Sequence, residues 1–598
     1  MNLRKNHYKE APPEFTIKVL KNKLKELNIV LVEDWLPKST TGTYSVRVTV
    51  PGTTIGTNGK GMSKEFALAS AYAEFFERLQ NKVLGINNHN RFPTVGFFNV
   101  YDEVFWSLDQ IVDNPTSFTS YLFTQLGLLD AASNVRKESF AKMFSTRVNK
   151  QNGKYAMYPF YNIERGMVEY IPVSIALPFY GSNGMSSGNS PAEALVQAFS
   201  EIFERFVQKK VIQDKLALPN VPIEEIQKYP ELYRMYKEVN SLDGFTLQVK
   251  DCSLGGTYPV VAIVVIEKNT GDYGIHFGAH PNFEIALERA FTEASQGQDI
   301  LRFAHNCRLD FSNSGVFESS NYYNIFDVAR GKYPCEFFSD LPKYEYAKCT
   351  RFQGETNDEM LQSIVKLLSE DGYSILIRDV SIMDFPTFHV IIPGMSELTD
   401  FDMMDVKIYN TRVLVRDLLV HPEKICKANI SYIECILEYY GKYYAYTSLA
   451  SIFARKVVGG YPYEEERLDI LYLLALCAAY KENVQDTLRY LQAMISSGKL
   501  QGEKKAYILA LLLYYKGKKV KKADDDIFAV LLQLFDERII NSAKHFISYP
   551  EEQFQSYAQV DNGINKCCMD LSNQLDECEK RAGIEQIRLR TLFSDYCQ

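Results

Sequence analysis

The chain has 598 residues, of which 46% are hydrophobic and 23% are charged, and its formal net charge is −8. This composition is ordinary for a globular protein and excludes a mainly disordered or fibrous chain, while the length favours roughly two to four domains. The negative charge gives no basic field to hold a polyanion, so extended nucleic-acid binding is not expected.

Targeting and redox signals are absent from the sequence. The segment MNLRKNHYKEAPPEF lacks the apolar stretch of a signal peptide, and no apolar run approaches the ~20 residues of a membrane span. The 11 cysteines form no C-x2-C pair, so neither a zinc ribbon nor a radical iron–sulfur site is encoded locally. We therefore expect a cytoplasmic protein with reduced thiols and no membrane contact.

The first predicted elements are a helix in KNKLKELNIVLVED and strands in TYSVRVTVPG. A glycine-rich turn, TNGKG, then leads to an N-cap at Ser63 and a helix whose apolar positions recur at helical spacing through Leu79. This helix carries the pattern S-x3-E-x2-E-R. A duplicated or triplicated site is indicated, because the same pattern returns twice later in the chain.

The second copy is GSNGMSSGNSPAEALVQAFSEIFERF. Ser190 is its predicted N-cap, Pro191 its first helical residue, and Glu193 the acid of a capping box. The third copy, FGAHPNFEIALERAFTEASQGQ, is degenerate: glutamine replaces the second glutamate, and Gly297 replaces the final arginine. Each of the three acidic helices is predicted to follow a glycine-rich turn.

A helix followed by two strands also recurs three times. The second and third occurrences contain DGFTLQVKD and DGYSILIRD, and their alternating or continuous runs of β-branched residues support strands. The predicted fold is therefore α+β, with repeated helix-strand-strand units in which helices cover the sheets.

From about residue 430 the strand signals fade and antiparallel helix pairs are expected. Their length permits a tetratricopeptide-like array of 34-residue period, and a plain helical bundle fits almost as well. The predicted domains are residues 1–425, with a possible subdomain near 301–425, and an all-helical C-terminal domain over 426–598 that binds a partner.

The acids of each predicted helix share one face, because residues three or four apart are neighbours on a helix. A solvated surface gives the same pattern, but phenylalanines interleave with these acids and favour burial. Clustered buried carboxylates would take up protons or capture cations, and oxygen ligands suit Mg2+. The N–H groups at helix starts attract phosphate. Since no G-x4-G-K-[ST] motif occurs, the sequence predicts a magnesium nucleotide site of another kind.

The three motifs together resemble the YcaO superfamily, whose members are ATP-dependent enzymes that activate peptide backbone amides. The likeness is stronger still to the enteric-bacterial branch, over TNGKGMSKEFALASAYAEFFERL, HFGAHPNFEIALER and VIIPGMS. That branch is described as an accessory factor for β-methylthiolation of an aspartate in a small-subunit ribosomal protein. Its radical-SAM partner would carry the iron–sulfur chemistry, and a homodimer is implied as well.

The resemblance also implies roles for individual residues. Near the start, KEAPPEFTIKVL is similar to the N-terminal nucleotide contacts of the family, although threonine stands where serine is expected. The implied Mg2+ ligands are Glu74, Glu77, Glu201, Glu204 and Glu293. The implied ATP contacts are Lys9, Thr16, Glu74, Ser186, Asn189, Glu193, Gln197, Arg205 and Arg289. No catalytic base or nucleophile is predicted.

Three functions stay open on the sequence. The first is ATP-driven amide activation as the ribosomal-protein accessory factor; the second is azoline or thioamide formation in a peptide. The first is favoured because heterocycle-forming relatives tend to end in a proline-rich segment, whereas RTLFSDYCQ has no proline. The third is a non-catalytic nucleotide-binding scaffold.

Overall fold

The computed structural model describes residues 7–51, 55–84, 100–143, 150–352 except 152, 354–401, 422–443, 463–554 and 573–594, together with 411, 414, 415 and 418. It confirms the mixed helix and sheet fold. The strands form sheets of three, four and seven members, and every pairing among the described residues is antiparallel.

The strands are Val32–Trp35, Tyr44–Thr49, Gly56–Gly61, Val104–Trp106, Lys150–Gln151, Lys154–Asn162, Met167–Pro172, Met185–Ser187, Phe245–Asp251, Val260–Glu267, Asp272–Ala279, Cys307–Arg308, Leu376–Asp379 and Thr387–Ile391. The helices of the first 400 residues are Pro13–Glu26, Lys64–Gln80, Leu108–Asp113, Ser117–Gln125, Ser133–Met143, Val173–Tyr180, Pro191–Gln213, Ile223–Ile226, Pro230–Asn240, Phe283–Ala294, Ile300–Phe303, Ser319–Val328 and Asn357–Glu370, with a 3-10 turn at Cys335–Phe338. Later helices are Ile430–Tyr443, Tyr463–Tyr480, Val484–Ser496, Gly502–Lys519, Asp524–Leu534, Glu537–Ser548, Pro550–Gln553, 573–582 and Leu589–Leu592, with 3-10 turns at Pro422–Lys424 and Gln586–Arg588.

Three of these helices carry the acidic motifs. The first acidic helix is Lys64–Gln80, the second is Pro191–Gln213 and the third is Phe283–Ala294. Ser63, Ser190 and Asn282 each accept a hydrogen bond from a backbone N–H of the first turn, so each helix has a side-chain N-cap. The interleaved phenylalanines are buried, as the sequence indicates; they are Phe75, Phe76, Phe203 and Phe206.

The first unit consists of a helix, three antiparallel strands and an acidic helix. Pro13–Glu26 packs on the first acidic helix, and the strands Val32–Trp35, Tyr44–Thr49 and Gly56–Gly61 lie in that order in one sheet. The turn predicted at TNGKG is wrong, because Gly56–Gly61 is the third strand. Its glycines serve close packing: a Cβ on Gly59 would lie 2.1 Å from the carbonyl oxygen of Ala67.

The second unit repeats this order later in the chain. Helix Pro230–Asn240 precedes strands Phe245–Asp251, Val260–Glu267 and Asp272–Ala279, and the third acidic helix follows. Gly278 takes the place of Gly59, since its Cβ would lie 2.2 Å from the carbonyl oxygen of Ala286. The first two predicted helix-strand-strand units therefore each have a third strand, which the glycines concealed because glycine is depleted in strands.

The third unit is assembled from two distant parts of the chain. Helix Asn357–Glu370 leads into the hairpin of strands Leu376–Asp379 and Thr387–Ile391. Its third strand is Met185–Ser187, which pairs with Thr387–Ile391 and precedes the second acidic helix. Asn357–Glu370 packs on that helix, as Pro13–Glu26 packs on the first one. The third helix-strand-strand pattern therefore belongs to the same unit as the second acidic helix, although it follows that helix in the sequence.

The three units contact one another cyclically. The first acidic helix touches the strand of the third unit, where Ser187 Oγ donates to the carbonyl oxygen of Ala73 at 3.0 Å. The second acidic helix touches Asp272–Ala279. The third acidic helix touches Gly56–Gly61, where Gln296 Nε2 donates to the carbonyl oxygen of Asn58 at 3.0 Å. Each acidic helix therefore lies beside a strand of another unit.

The C-terminal part of the chain is helical, with its own core between residues 415 and 554. A tetratricopeptide-like arrangement stays a prediction; the second helices of two successive pairs start at Val484 and Asp524, which is wider than a 34-residue period. Within the described residues, no helix combines the length and the apolar character needed to cross a membrane.

The domain boundary at 425/426 stays a prediction, and residues 573–594 pack against the part of the chain that precedes it. Leu575 and Cys578 join the core that contains Phe75 and Phe76, and Leu589 lies in the core around the second acidic helix. The buried Lys82 ammonium lies 2.5 Å from the carboxylate of Glu579. This stretch returns to the first domain, because its apolar side chains complete cores that the first domain leaves open.

Gly59→Ala is expected to destabilise the protein by about 3 kcal/mol or more, because the new methyl group would meet the backbone of the first acidic helix, which cannot move aside. The equivalent Gly278→Ala is expected to act alike. Urea unfolding followed by far-UV circular dichroism measures both. Gly127→Ala is the control, because a Cβ there meets nothing within 4 Å and costs only about 1 kcal/mol for its positive φ. Equal costs at the three positions would contradict the close packing.

Candidate functional site

The three acidic helices share one register against their own strands. Gly59 pairs with Val46, Ser186 with Phe388 and Gly278 with Val261, each partner lying on the second strand of the three that form its unit. In each copy the first acid of the motif lies 15 residues after this strand residue (Gly59, Ser186 or Gly278), and the second motif position lies 18 residues after it. The matching residues are Glu74, Glu201 and Glu293 at the first position, and Glu77, Glu204 and Gln296 at the second. The register explains why the motif spacing is the same in all three copies.

The five glutamates converge in the folded chain. Glu74 interacts electrostatically with Glu201 and Glu293, and Glu77 with Glu74 and Glu201. Glu204 interacts with Glu293 and Glu201. All three acidic helices therefore present their acids to one common region, which we call the acid cluster: Glu74, Glu77, Glu201, Glu204 and Glu293.

Basic side chains lie among these carboxylates. Within the first and second acidic helices, Arg78 is 3.2 Å from Glu77, and Arg205 is 3.1 Å from Glu201. Lys60 comes from the neighbouring strand, and its Nζ lies 2.5 Å from Glu293 Oε1. These contacts offset part of the repulsion that close carboxylates would otherwise create.

Burial and mutual repulsion shift the pKa values of the cluster. Burial raises the pKa of Glu77 and of Glu204 to about 8, in spite of the neighbouring arginines. It also raises the pKa of Glu74. At Glu293 burial acts in the same direction and is the largest single cause, but Lys60, His276 and Arg289 together outweigh it and the pKa is lowered. The pKa of Lys60 is shifted by the same interaction. Burial lowers it, but the charges of Glu293 and Glu74 act in the opposite direction and the pKa is raised.

The donors of the acid cluster suit a hard divalent cation. Carboxylate oxygens are the protein ligands that Mg2+ prefers, together with waters and phosphate oxygens. Glu201 Oε1 is buried and makes no hydrogen bond within the described residues, although it is ion-paired with Arg205. In the part of the chain that the structure describes, no three acidic, imidazole or thiol groups already converge on one ion position. The carboxylates are therefore suitable ligands for Mg2+, but the basic side chains that are now ion-paired with them would have to move away before the ion binds.

A second polar cluster lies at the start of the second acidic helix. The Glu193 carboxylate accepts from the backbone N–H of Glu10 at 2.8 Å and from Asn189 Nδ2 at 3.1 Å, and Lys9 Nζ is 3.3 Å away. Thr16 Oγ1 donates to Asn189 Oδ1 at 2.7 Å. The predicted capping box is therefore half formed: Ser190 accepts from the Glu193 N–H, but the Glu193 side chain turns to the N-terminal segment.

Gln197 and Arg289 connect the two clusters. The Arg289 guanidinium donates to Gln197 Oε1 and to the carbonyl oxygen of Ala279, and Glu204 and Glu293 act on its charge. Ser186 is fully buried, and its Oγ has no hydrogen-bond partner in the described chain. Apart from Ser186, the residues that the resemblance implied as ATP or Mg2+ contacts lie in the acid cluster, in the cluster around Glu193 or in contact with them, and their roles stay predictions.

Lys60 lies beside the acid cluster and is not among the site residues that the sequence predicted. The signal that could have identified it is the missing arginine of the third motif. Position 297 is glycine, so Glu293 has no basic neighbour on its own helix corresponding to Arg78 or Arg205. The cation comes instead from the adjoining strand.

The region 58–396, more than half of the chain, matches the family model described as YcaO cyclodehydratase, ATP- and Mg2+-binding. The chain belongs to the YcaO family. The resemblance stated from the motifs is confirmed, and ATP and Mg2+ are the cofactors that the family assignment supports.

Two curated relatives show the same relationship. An uncharacterized protein of Haemophilus influenzae is 33% identical over 355 residues, which is 58% of this chain and 58% of the relative. The ribosomal protein S12 methylthiotransferase accessory factor YcaO of Escherichia coli is 28% identical over 406 residues, 65% of this chain and 66% of the relative. The chain thus spans less than two thirds of the length of the curated relatives it matches.

Solved structures of YcaO proteins and heterocyclases are remotely similar. A heterocyclase in complex with substrate and cofactor has a TM-score of 0.44 and 17% identity, covering 65% of this chain and 53% of the other. YcaO from Methanopyrus kandleri bound with AMPPCP and Mg2+ has a TM-score of 0.38 and 15% identity, covering 65% of this chain and 93% of the other.

The metal-free protein is expected to lose stability as the pH rises from 6 to 8. Glu77 and Glu204 have folded-state pKa values near 8, above the unfolded value of 4.5, so their contribution is complete below about pH 4.5 and is lost through pH 8. We expect the free energy of unfolding to fall by on the order of 2 kcal/mol for each of the two groups over this interval. Urea unfolding in EDTA at each pH measures it.

Glu77→Gln provides the comparison for this pH dependence. The amide cannot ionise, so the variant is expected to show a shallower loss of stability with pH than the wild-type protein. Parallel stability curves for the two proteins would show that Glu77 does not titrate in this range.

Proposed function

We propose that this YcaO protein binds ATP together with Mg2+ and hydrolyses ATP to activate the amide of a peptide or protein. The observation that carries the proposal is the convergence of five glutamates from three separated helices on one region, next to the polar cluster around Glu193. An acid cluster alone repels a polyphosphate, whereas bound divalent cations reverse the sign of its field.

The second acidic helix would support the nucleotide along its length. Glu193, Gln197, Glu201 and Glu204 follow one another on it, and at a rise of about 1.5 Å per residue the first and last are roughly 16 Å apart along the axis. An extended ATP has a comparable length. Lys9, Thr16, Asn189 and Glu193 would hold one end, and the acid cluster would hold the metal ions at the phosphates.

The chemistry requires positioning and charge neutralisation. In the proposed step the amide oxygen of the substrate bonds to the γ-phosphorus, the bond from that phosphorus to the β–γ bridging oxygen breaks, and ADP leaves. Such transfers need little covalent help from the protein. Arg78, Arg205 and Arg289 are described arginines at or beside the acid cluster that would stabilise the negative charge as it shifts to the β–γ bridging oxygen.

For the acceptor, we favour a small-subunit ribosomal protein that undergoes β-methylthiolation. This rests on the similarity to the accessory factor of Escherichia coli. Azoline or thioamide formation in a peptide is the alternative, since the family description is that of a cyclodehydratase. A nucleotide-binding scaffold without turnover is the third candidate. A radical-SAM partner, a homodimer and a cytoplasmic location stay predictions of the sequence.

Glu201→Gln is expected to lower Mg2+-dependent ATP turnover by at least about 100-fold, because one charged oxygen of the metal site is lost at a point where it acts on the transferred phosphate. Phosphate release measures turnover, and calorimetry with ATP, with and without Mg2+, measures binding. The matched control is Glu224→Gln, which changes an exposed glutamate. Unchanged turnover in a folded Glu201→Gln protein would show that Glu201 does not hold the catalytic metal ion. Binding of ATP without turnover by the wild-type chain would remove the enzyme hypothesis and leave the scaffold.

Deletion of the gene is expected to reduce β-methylthiolation of the ribosomal protein in the host. Mass spectrometry of the intact protein measures the modification, and re-expression of the wild-type chain serves as the control. Full modification in the deletion strain would exclude the accessory role, while ATP turnover in vitro would still support amide activation on another substrate.

A further inference from the structure

In two of the acidic helices an arginine follows the second acid of the motif, and in the third that arginine is missing. Arg78 and Arg205 occupy the same motif position, each within ion-pair distance of an acid on its own helix. The third acidic helix has Gly297 at that position, with a backbone φ of +74° that disfavours any other residue. Arg289 of the same helix acts on the charge of Glu293, but its guanidinium donates to Gln197 Oε1 and to the carbonyl oxygen of Ala279. The short ion pair of Glu293 is formed with a cation from elsewhere in the fold.

Lys60 supplies that cation across a boundary between units. It lies on the strand Gly56–Gly61, which packs against the first acidic helix through Gly59 and Gly61, so its backbone is fixed. Its side chain is 23% exposed and its Nζ lies 2.5 Å from Glu293 Oε1. Glu74 and Glu204 also act on its charge. The ammonium thus stands among carboxylates from all three units.

An ordinary surface ion pair does not account for this arrangement. Such a pair joins one acid to one base, and water screens both. Lys60 is instead partly enclosed and faces three acids, two of which repel each other where no cation is present. A compact charge in this position has the electrostatic effect of a bound cation, but it is attached to the chain.

We propose that Lys60 is a tethered competitor for the divalent-cation site: its ammonium stabilises the cation-free acid cluster, and it must leave Glu293 before a divalent ion can bind there. The proposal deepens the proposed function, because it rests on the acid cluster being a metal site. If Lys60 competes in this way, the protein binds divalent ions weakly when no nucleotide is present. It binds them more strongly with a nucleotide, because the phosphates would form a new ion pair with the displaced ammonium.

The test is Mn2+ binding to the full-length protein without nucleotide, measured from the free-ion signal in electron paramagnetic resonance. Lys60→Met keeps the length of the side chain and removes its charge, so it is expected to bind Mn2+ at least about fivefold more tightly than the wild-type chain. Lys60→Arg keeps the charge and is expected to bind like the wild type. Lys25→Met, at an exposed position of the first helix, is the matched control.

Thermal unfolding in EDTA gives a second measurement that does not depend on activity. Lys60→Met is expected to unfold at a lower temperature than the wild type, and to recover more on addition of Mn2+. If Lys60→Met loses too much stability to be studied, Lys60→Gln replaces it in both measurements.

The outcomes separate the two proposals. Tighter Mn2+ binding by Lys60→Met supports competition, whereas equal or weaker binding by a folded variant overturns it. In the latter case, tight Mn2+ binding by the wild-type chain in the presence of ATP would leave the proposed function standing. Absence of Mn2+ binding from every variant, with or without ATP, would overturn the metal site itself and the role of Lys60 with it.

Discussion

Repulsion between like charges is the constraint on which this structure depends. Two carboxylates about 4 Å apart repel by roughly 4 kcal/mol at an effective dielectric constant near 20, and five glutamates share one region here. Lys60, Arg78 and Arg205 offset part of that repulsion. The raised pKa values of Glu77 and Glu204 reduce it further, because protonation removes the charge of these carboxylates. Such a cluster destabilises the folded chain, so it is not explained by stability. Its presence argues for a ligand that carries positive charge.

The same constraint explains the architecture around it. Side chains from one helix could supply only two or three carboxylates on one face, so a larger set needs several helices that meet. Three similar units provide them, and each acidic helix lies beside a strand of another unit. The close approach of helix to strand at Gly59 and Gly278 fixes the distance between each of these two acidic helices and its strand, and therefore the position of the acids. Packing and site geometry are therefore set by the same residues.

Much of this could be predicted from the sequence, for identifiable reasons. Helical spacing and N-caps located the acidic helices, and the repeated motif showed that Glu74, Glu201 and Glu293 are equivalent. The strand Gly56–Gly61 was mistaken for a turn, because glycine selected for close packing cannot be told from glycine selected for a positive φ. Pairing between Met185–Ser187 and Thr387–Ile391 was also out of reach, since local patterns carry no information on distant partners. Lys60 was missed for a related reason: its partner belongs to another unit.

The return of residues 573–594 to the first domain affects how the protein can be made. Leu575 and Cys578 lie beneath the first acidic helix, and Glu579 holds Lys82 just beyond its end. During synthesis that helix emerges early, but the side chains that cover it are translated almost 500 residues later. The growing chain therefore carries this part of the apolar surface uncovered until residues 573–594 have been made.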